Sequence, residues 1–227
     1  MGKGAEVVTV ALDVGGADAA RPFLDAAQPD HPSLIDDAHR CDEVFGFLNV
    51  PNAVWIDEQG MLVRPAHGAT LQRSPFLDME VPEGLGRLGE QLHEVKKIVT
   101  TDPDLYRSAI HDWLEHGAAS RFALPPDEVV ARSRPRPVEH AEAAAAFELA
   151  QHLHREGAPD DAVRWFRRAH ELDPANWTYK RQAWTFATTE PGQPSDLVQG
   201  PTDLYEGNWL DDVRRVGAES YYEDWNG

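Results

Sequence analysis

Two stretches restrict what this chain can fold into. Residues 6–13 read Glu-Val-Val-Thr-Val-Ala-Leu-Asp, and residues 49–63 read Asn-Val-Pro-Asn-Ala-Val-Trp-Ile-Asp-Glu-Gln-Gly-Met-Leu-Val. An almost unbroken Val/Thr/Ala/Leu run predicts a strand covered on both faces in an α/β sheet. In the second stretch, Asp57-Glu58-Gln59-Gly60 between apolar runs predicts a hairpin joining residues 53–56 to 61–64. Gly15 and Gly16 end the first strand. A helix is expected over 17–28, with Phe23, Leu24 and Ala27 on one side and Pro22 tolerable only near its first turn. A short extended piece follows at 31–36. A second helix over 37–47 is expected to turn Cys41, Val44, Phe45 and Leu48 inward.

Beyond residue 70 the pattern changes. Residues 88–99 and 103–117 are helical in character, the second with Asp102 as its N-cap and Pro103 in its first turn. Residues 124–137 hold Pro125, Pro126, Pro135 and Pro137 and read as a linker. From residue 138 the composition turns alanine-rich. Ala150, Ala162, Phe166, Ala169 and Pro174 stand at the spacing of one tetratricopeptide repeat, which residues 143–174 resemble. Small residues let two antiparallel helices approach, Phe166 fills the gap between them, and Pro174 stops the second. A capping helix over 176–187 is expected, and a lone repeat must dock on something. The acidic, aromatic tail at 201–227, with Tyr205, Trp209, Tyr221, Tyr222 and Trp225, is expected to pack on the protein itself.

The order strand, helices, Val-Pro, strand ending in Asp, turn with Gly and strand resembles the thioredoxin-like thiol–disulfide reductases of the TlpA/ResA type. That resemblance implies an α/β fold: an incomplete thioredoxin-like sheet in residues 1–123, then a tetratricopeptide-like helical region at 138–190 and the tail at 191–227. It also implies that Val50–Pro51 is a cis bond whose backbone faces the substrate. The family's Cys-x-x-Cys sits on a strand and helix preceding the strand at residue 6, between it and the strand at residue 53. Without that unit both neighbours would expose unpaired backbone groups, each costing about 1–3 kcal/mol when buried. Either the neighbours close up, or another segment fills the slot, or the polypeptide starts earlier. The last is the expectation here. The resemblance is closest to a ResA-like branch in which selenocysteine, whose codon reads as a stop, can replace a catalytic cysteine.

No residue of the chain is therefore expected to be catalytic. The activity implied is thiol–disulfide exchange on protein thiols or disulfides, conditional on the missing motif. Cys41 is the single cysteine of the chain, which excludes an internal disulfide and any multi-cysteine metal site. Expected mid-helix on an apolar side and among Asp36, Asp37, Asp42 and Glu43, it reads as a small buried hydrophobe and not a redox thiol. Histidine pairs such as His152/His154 and His111/His116 do not share a helix face, so neither a metal site nor a cofactor is expected. Asp13 and Asp57 end strands and read as turn caps. Gly84-x-Gly86-x-x-Gly89 follows no strand and carries no dinucleotide site.

The net charge of −18 repels phosphate backbones and anionic lipids, excluding nucleic-acid and membrane-surface partners as expectations. The chain as written reads as cytoplasmic, with an upstream leader or anchor left open. The rival reading is a non-catalytic interaction protein whose helical region holds a partner's peptide. That use requires Trp177, Lys180 and Trp184 to be accessible.

Overall fold

The structure, a computed structural model, describes residues 4–98, 101–133, 136–187, 202–205 and 207–217. It has mixed α/β content, with two separate two-stranded sheets and a larger helical part. Strand β1 (Thr9–Leu12) leads through helix α1 (Gly16–Ala27) into β2 (Ser33–Asp36), which pairs parallel with β1 in the register Thr9↔Ser33 to Leu12↔Asp36. After the short helix α2 (Arg40–Phe45), β3 (Asn52–Ile56) and β4 (Leu62–Gly68) form an antiparallel hairpin. Its turn is fastened by the Asp57 carboxylate, which accepts the N–H groups of Gln59 and Met61 at 3.0 and 2.8 Å. β1 is not bonded to β3, so the two pairs remain apart.

Several local expectations are corrected. β1 is not covered on both faces: Val8 is 51% and Val10 38% exposed, because β2 is its only strand neighbour among the described residues. Pro22 lies in the second turn of α1, not the first, and Phe23 is 78% exposed, so this helix leans on the sheet through Ala20 instead. The helix expected over 37–47 is cut to six residues. His39 takes a left-handed conformation (φ 56°), which turns His39 and Asp42 inward and leaves Val44 outside. Residues 124–137 are not all linker, since Pro126 opens helix α6 (Pro126–Arg132), which buries Val129. Proline in a first turn costs nothing, because its missing N–H would have no partner there.

The hairpin β3/β4 leans on α5 (Pro103–His116), whose first turn is capped by the Asp102 carboxylate on Leu105 N–H at 2.9 Å. Trp55, Tyr106, Ala109 and Phe122 form the core there, with Trp55 stacked on Trp113 at 4.8 Å between ring centres. Buried Arg64 donates to the Phe122 carbonyl at 3.0 Å, and Leu124 N–H continues the outer edge of β4 by donating to Val63 O at 2.9 Å. Between hairpin and helix lie α3 (Pro75–Asp78) and α4 (Arg87–Ile98).

The second core is an antiparallel helical pair, α7 (Val138–Arg155) and α8 (Pro159–Leu172), capped by α9 (Trp177–Phe186). Ala143, Ala150, Ala162 and Ala169 are fully buried, letting the helices approach until Phe147 and Phe166 meet edge to face at 5.8 Å. Asn176 caps α9 by accepting the Tyr179 N–H and is itself buried, so the Asn-Trp-Thr sequon there is inaccessible. The tail's described part, helix α10 (Trp209–Val216), buries Leu210 and Val213. Tyr221, Tyr222 and Trp225 lie outside the described residues, as do residues 188–201. Replacing Phe166 by Ala should lower stability by about 3–5 kcal/mol in urea unfolding, as expected for a fully enclosed aromatic. A loss under about 1 kcal/mol would mean that this helical core is not packed as described.

Candidate functional site

The sequence-predicted site residues fall on two turns, Cys41 after β2 and Val50–Pro51 before β3, and the helical region reaches both. The first turn is organised by Asp36 at the end of β2. Its carboxylate accepts the backbone N–H groups of Ala38, Arg40 and Cys41 at 3.3, 2.9 and 2.7 Å, meeting the orphan donors at the start of α2. Burial would raise the Asp36 carboxyl, but those N–H groups and the Cys41 thiol outweigh it and hold it below the ordinary carboxylate value.

This arrangement decides the chemistry of Cys41. The thiol stands at the N-terminal end of α2, not mid-helix, where free N–H groups would favour a thiolate. Asp36 already takes those N–H groups. Burial, the thiol's hydrogen bond to Asp36 and the carboxylate's charge push the Cys41 pKa up to about 11. Cys41 is half-buried and poorly nucleophilic near neutrality.

On the second turn the Val50–Pro51 peptide is cis, and both residues are exposed. Pro51 O accepts the Ala69 N–H at 3.1 Å, tying the turn to the end of β4, and Asn52 Nδ2 donates to Asn49 Oδ1 at 2.9 Å. Just before it, Leu48 O accepts the N–H of Trp177, the first residue of α9, at 2.8 Å. Further along α9, Gln182 reaches the end of β1, its Oε1 accepting Val14 N–H at 3.2 Å. One helix thus touches the turn after β1 and the turn before β3.

Between these turns lies a buried polar junction that sequence reasoning did not find. Asp42 accepts a hydrogen bond from the Tyr179 hydroxyl, with Arg136 at 3.8 Å. Burial raises the Asp42 carboxyl despite Tyr179 and Arg136, and burial with the Asp42 charge keeps Tyr179 protonated. His39, 2% exposed, packs edge to face on Phe147 at 4.9 Å, and neither ring nitrogen has a hydrogen-bond partner. The only sequence signal for this junction is the polar pair His39 and Asp42, three apart like neighbours on one helix face.

Trp177 and Lys180 are 3% and 4% exposed. Trp177 packs on Val213 and Trp209 of α10, and Lys180 Nζ pairs with Asp212 at 3.0 Å. Trp184 is half-buried. The tail therefore covers most of the surface that a peptide groove on this region would use. Among the described residues, no group of three or more His, Cys, Asp or Glu is placed to hold a metal ion. No helix there is long and apolar enough to cross a membrane. Asp13 accepts the Gly15 N–H at 2.8 Å and, like Asp57, caps a turn. Compared with known proteins, the chain matches no family model, no curated protein and no solved structure.

Burial lowers the pKa of three histidines, His39, His67 and His170, to about 4, against an ordinary value of 6.5. The unfolded chain then binds more protons than the native one between pH 6.5 and 4, so stability falls as pH falls through that window. His39 alone should contribute a loss on the order of 3 kcal/mol by pH 4. His39→Asn, which keeps a residue tolerant of the left-handed conformation, should flatten the pH dependence of urea unfolding. An unchanged slope would place the protonation elsewhere. Iodoacetamide at pH 8 should alkylate Cys41 at least tenfold more slowly than a free thiol, given its raised pKa, and Asp36→Asn should speed the reaction.

Proposed function

We propose that residues 1–123 are the substrate-facing part of a thioredoxin-like redoxin domain of the TlpA/ResA type, joined to a tetratricopeptide-like helical unit. The observation that carries this reading is the arrangement of the strands. A parallel pair joined by a helix and an antiparallel hairpin follow one another in the family's order, and the two pairs are left unjoined. A thioredoxin-like sheet would have its central strand, with the reactive helix behind it, in that position. The open, valine-lined edge of β1 fits such a neighbour, since parallel strands of α/β sheets are ordinarily flanked on both sides.

In this reading Val50–Pro51 offers its exposed backbone to an extended substrate, a protein thiol or disulfide. The exchange itself belongs to a cysteine or selenocysteine motif on the central unit. Cys41 does not replace it, because Asp36 suppresses the thiolate. The helical unit serves the domain by packing on both turns. The rival role, holding a partner's peptide, is left with little surface once α10 covers Trp177 and Lys180.

The test is an insulin-reduction assay on purified residues 1–227 with dithiothreitol. No acceleration over background is expected, and none should be lost in Cys41→Ser. Joining a redoxin strand and Cys-x-x-Cys helix ahead of residue 6 should confer activity, and Pro51→Thr should reduce it. Turnover by residues 1–227 that Cys41→Ser abolishes would overturn the proposal, as would a folded graft with no activity.

A further inference from the structure

The outer edge of β1 is closed at one end by a side chain. Thr9 and Asp13 donate their N–H groups to Pro32 O and Asp36 O on the β2 side. The pleat therefore turns the peptide groups of Val8, Val10, Leu12 and Val14 the other way. On that outer side Gln182 of α9 presents its carboxamide: Oε1 accepts Val14 N–H at 3.2 Å, and Nε2 lies 3.5 Å from Leu12 O. Leu12 O and Val14 N–H flank Asp13. In a parallel ladder, one residue of the neighbouring strand engages that same flanking pair with its own N–H and C=O. A primary carboxamide carries the same donor and acceptor as a peptide group.

We infer that Gln182 is a strand surrogate: it occupies one peptide position of a parallel neighbour to β1, and its side chain is a plug that such a strand displaces at this end of the edge. The identity of the strand, the central one of the redoxin sheet, rests on the reading above. Among the described residues β2 is the only strand paired with β1, so the outward peptide groups of Val8 and Val10 are left for a strand to dock on first and meet Gln182 last. Glu6 and Asp13 bracket this edge and the chain carries a net charge of −18, which disfavours a second copy of the same acidic strand. The tail segments beyond α10 are acidic as well. An apolar strand without acidic flanks is the occupant this edge fits.

The experiment uses the full chain, its Gln182→Ala variant and Gln182→Met, which keeps the side chain's length without the amide. The Val14 amide should exchange with deuterium about five- to tenfold faster in both variants than in the wild type, the loss expected for one hydrogen bond. A lysine-flanked Val-Thr-Val-Thr-Val peptide serves as the strand probe. It should bind both variants several-fold more tightly than the wild type and slow exchange at Val10. Equal Val14 exchange in all three proteins overturns the inference. So does equal probe affinity, or no binding to any of them. None of these readouts involves redox turnover, so failure here is distinguishable from failure of the redoxin reading.

Discussion

Neither strand pair can stand alone, and that constraint organises the molecule. A two-stranded sheet buries too little to be stable by itself and must lean on helices. The parallel pair does so at its ends: Val14, His39 and Asp42, all just beyond β1 and β2, enter the core formed by α7, α8 and α9. The hairpin leans elsewhere, through Trp55 and Arg64 onto α5 and the segment around Phe122. Helix α1 leans on the parallel pair, α7–α9 meet its ends, and α5 covers one face of the hairpin, while the outer edge of β1 has no strand partner among the described residues. Gln182 is the exception, and it reaches only the last peptide groups of β1.

The turn that anchors the parallel pair also silences its thiol. Asp36 gathers the N–H groups that begin α2, and a carboxylate in that position removes the field that would otherwise stabilise a thiolate at Cys41. Structural capping and redox activity exclude one another at this site. The same turn directs Asp42 into the junction with Tyr179. There both groups are withdrawn from water, so removing either partner would leave a buried polar group unpaired. The helical region is therefore committed to the rest of the chain on both of its sides, by this junction on one and by α10 on the other.

Much of this was legible in the sequence where a local rule governs. The Asp57–Gly60 turn, the Asp102 cap, the alanines and Phe166 of the helical pair, and the mixed α/β content all follow from short-range chemistry. What was not legible depends on distant partners. Composition marked 6–12 as doubly covered, but nothing in a Val/Thr run says whether a neighbour is present, and Val10 is exposed. The inward side of this segment shifted to His39 and Asp42, leaving Val44 outside, because His39 adopts a left-handed conformation that apolar spacing does not encode. Gln182 carries no motif at all. It matters only because α9 is brought against an edge far away in sequence.

The central claim is that the outer edge of β1 has no strand partner among the described residues and meets only Gln182 at its end, and residue-by-residue amide exchange along β1 tests it most directly. With β2 as its sole strand neighbour among the described residues, the amides of Thr9, Ala11 and Asp13 should be protected while those of Val8 and Val10 exchange freely, an alternation with period two. Protection of Val8 and Val10 as strong as that of their neighbours would mean that the outer edge is already paired within this chain, and the account would be wrong.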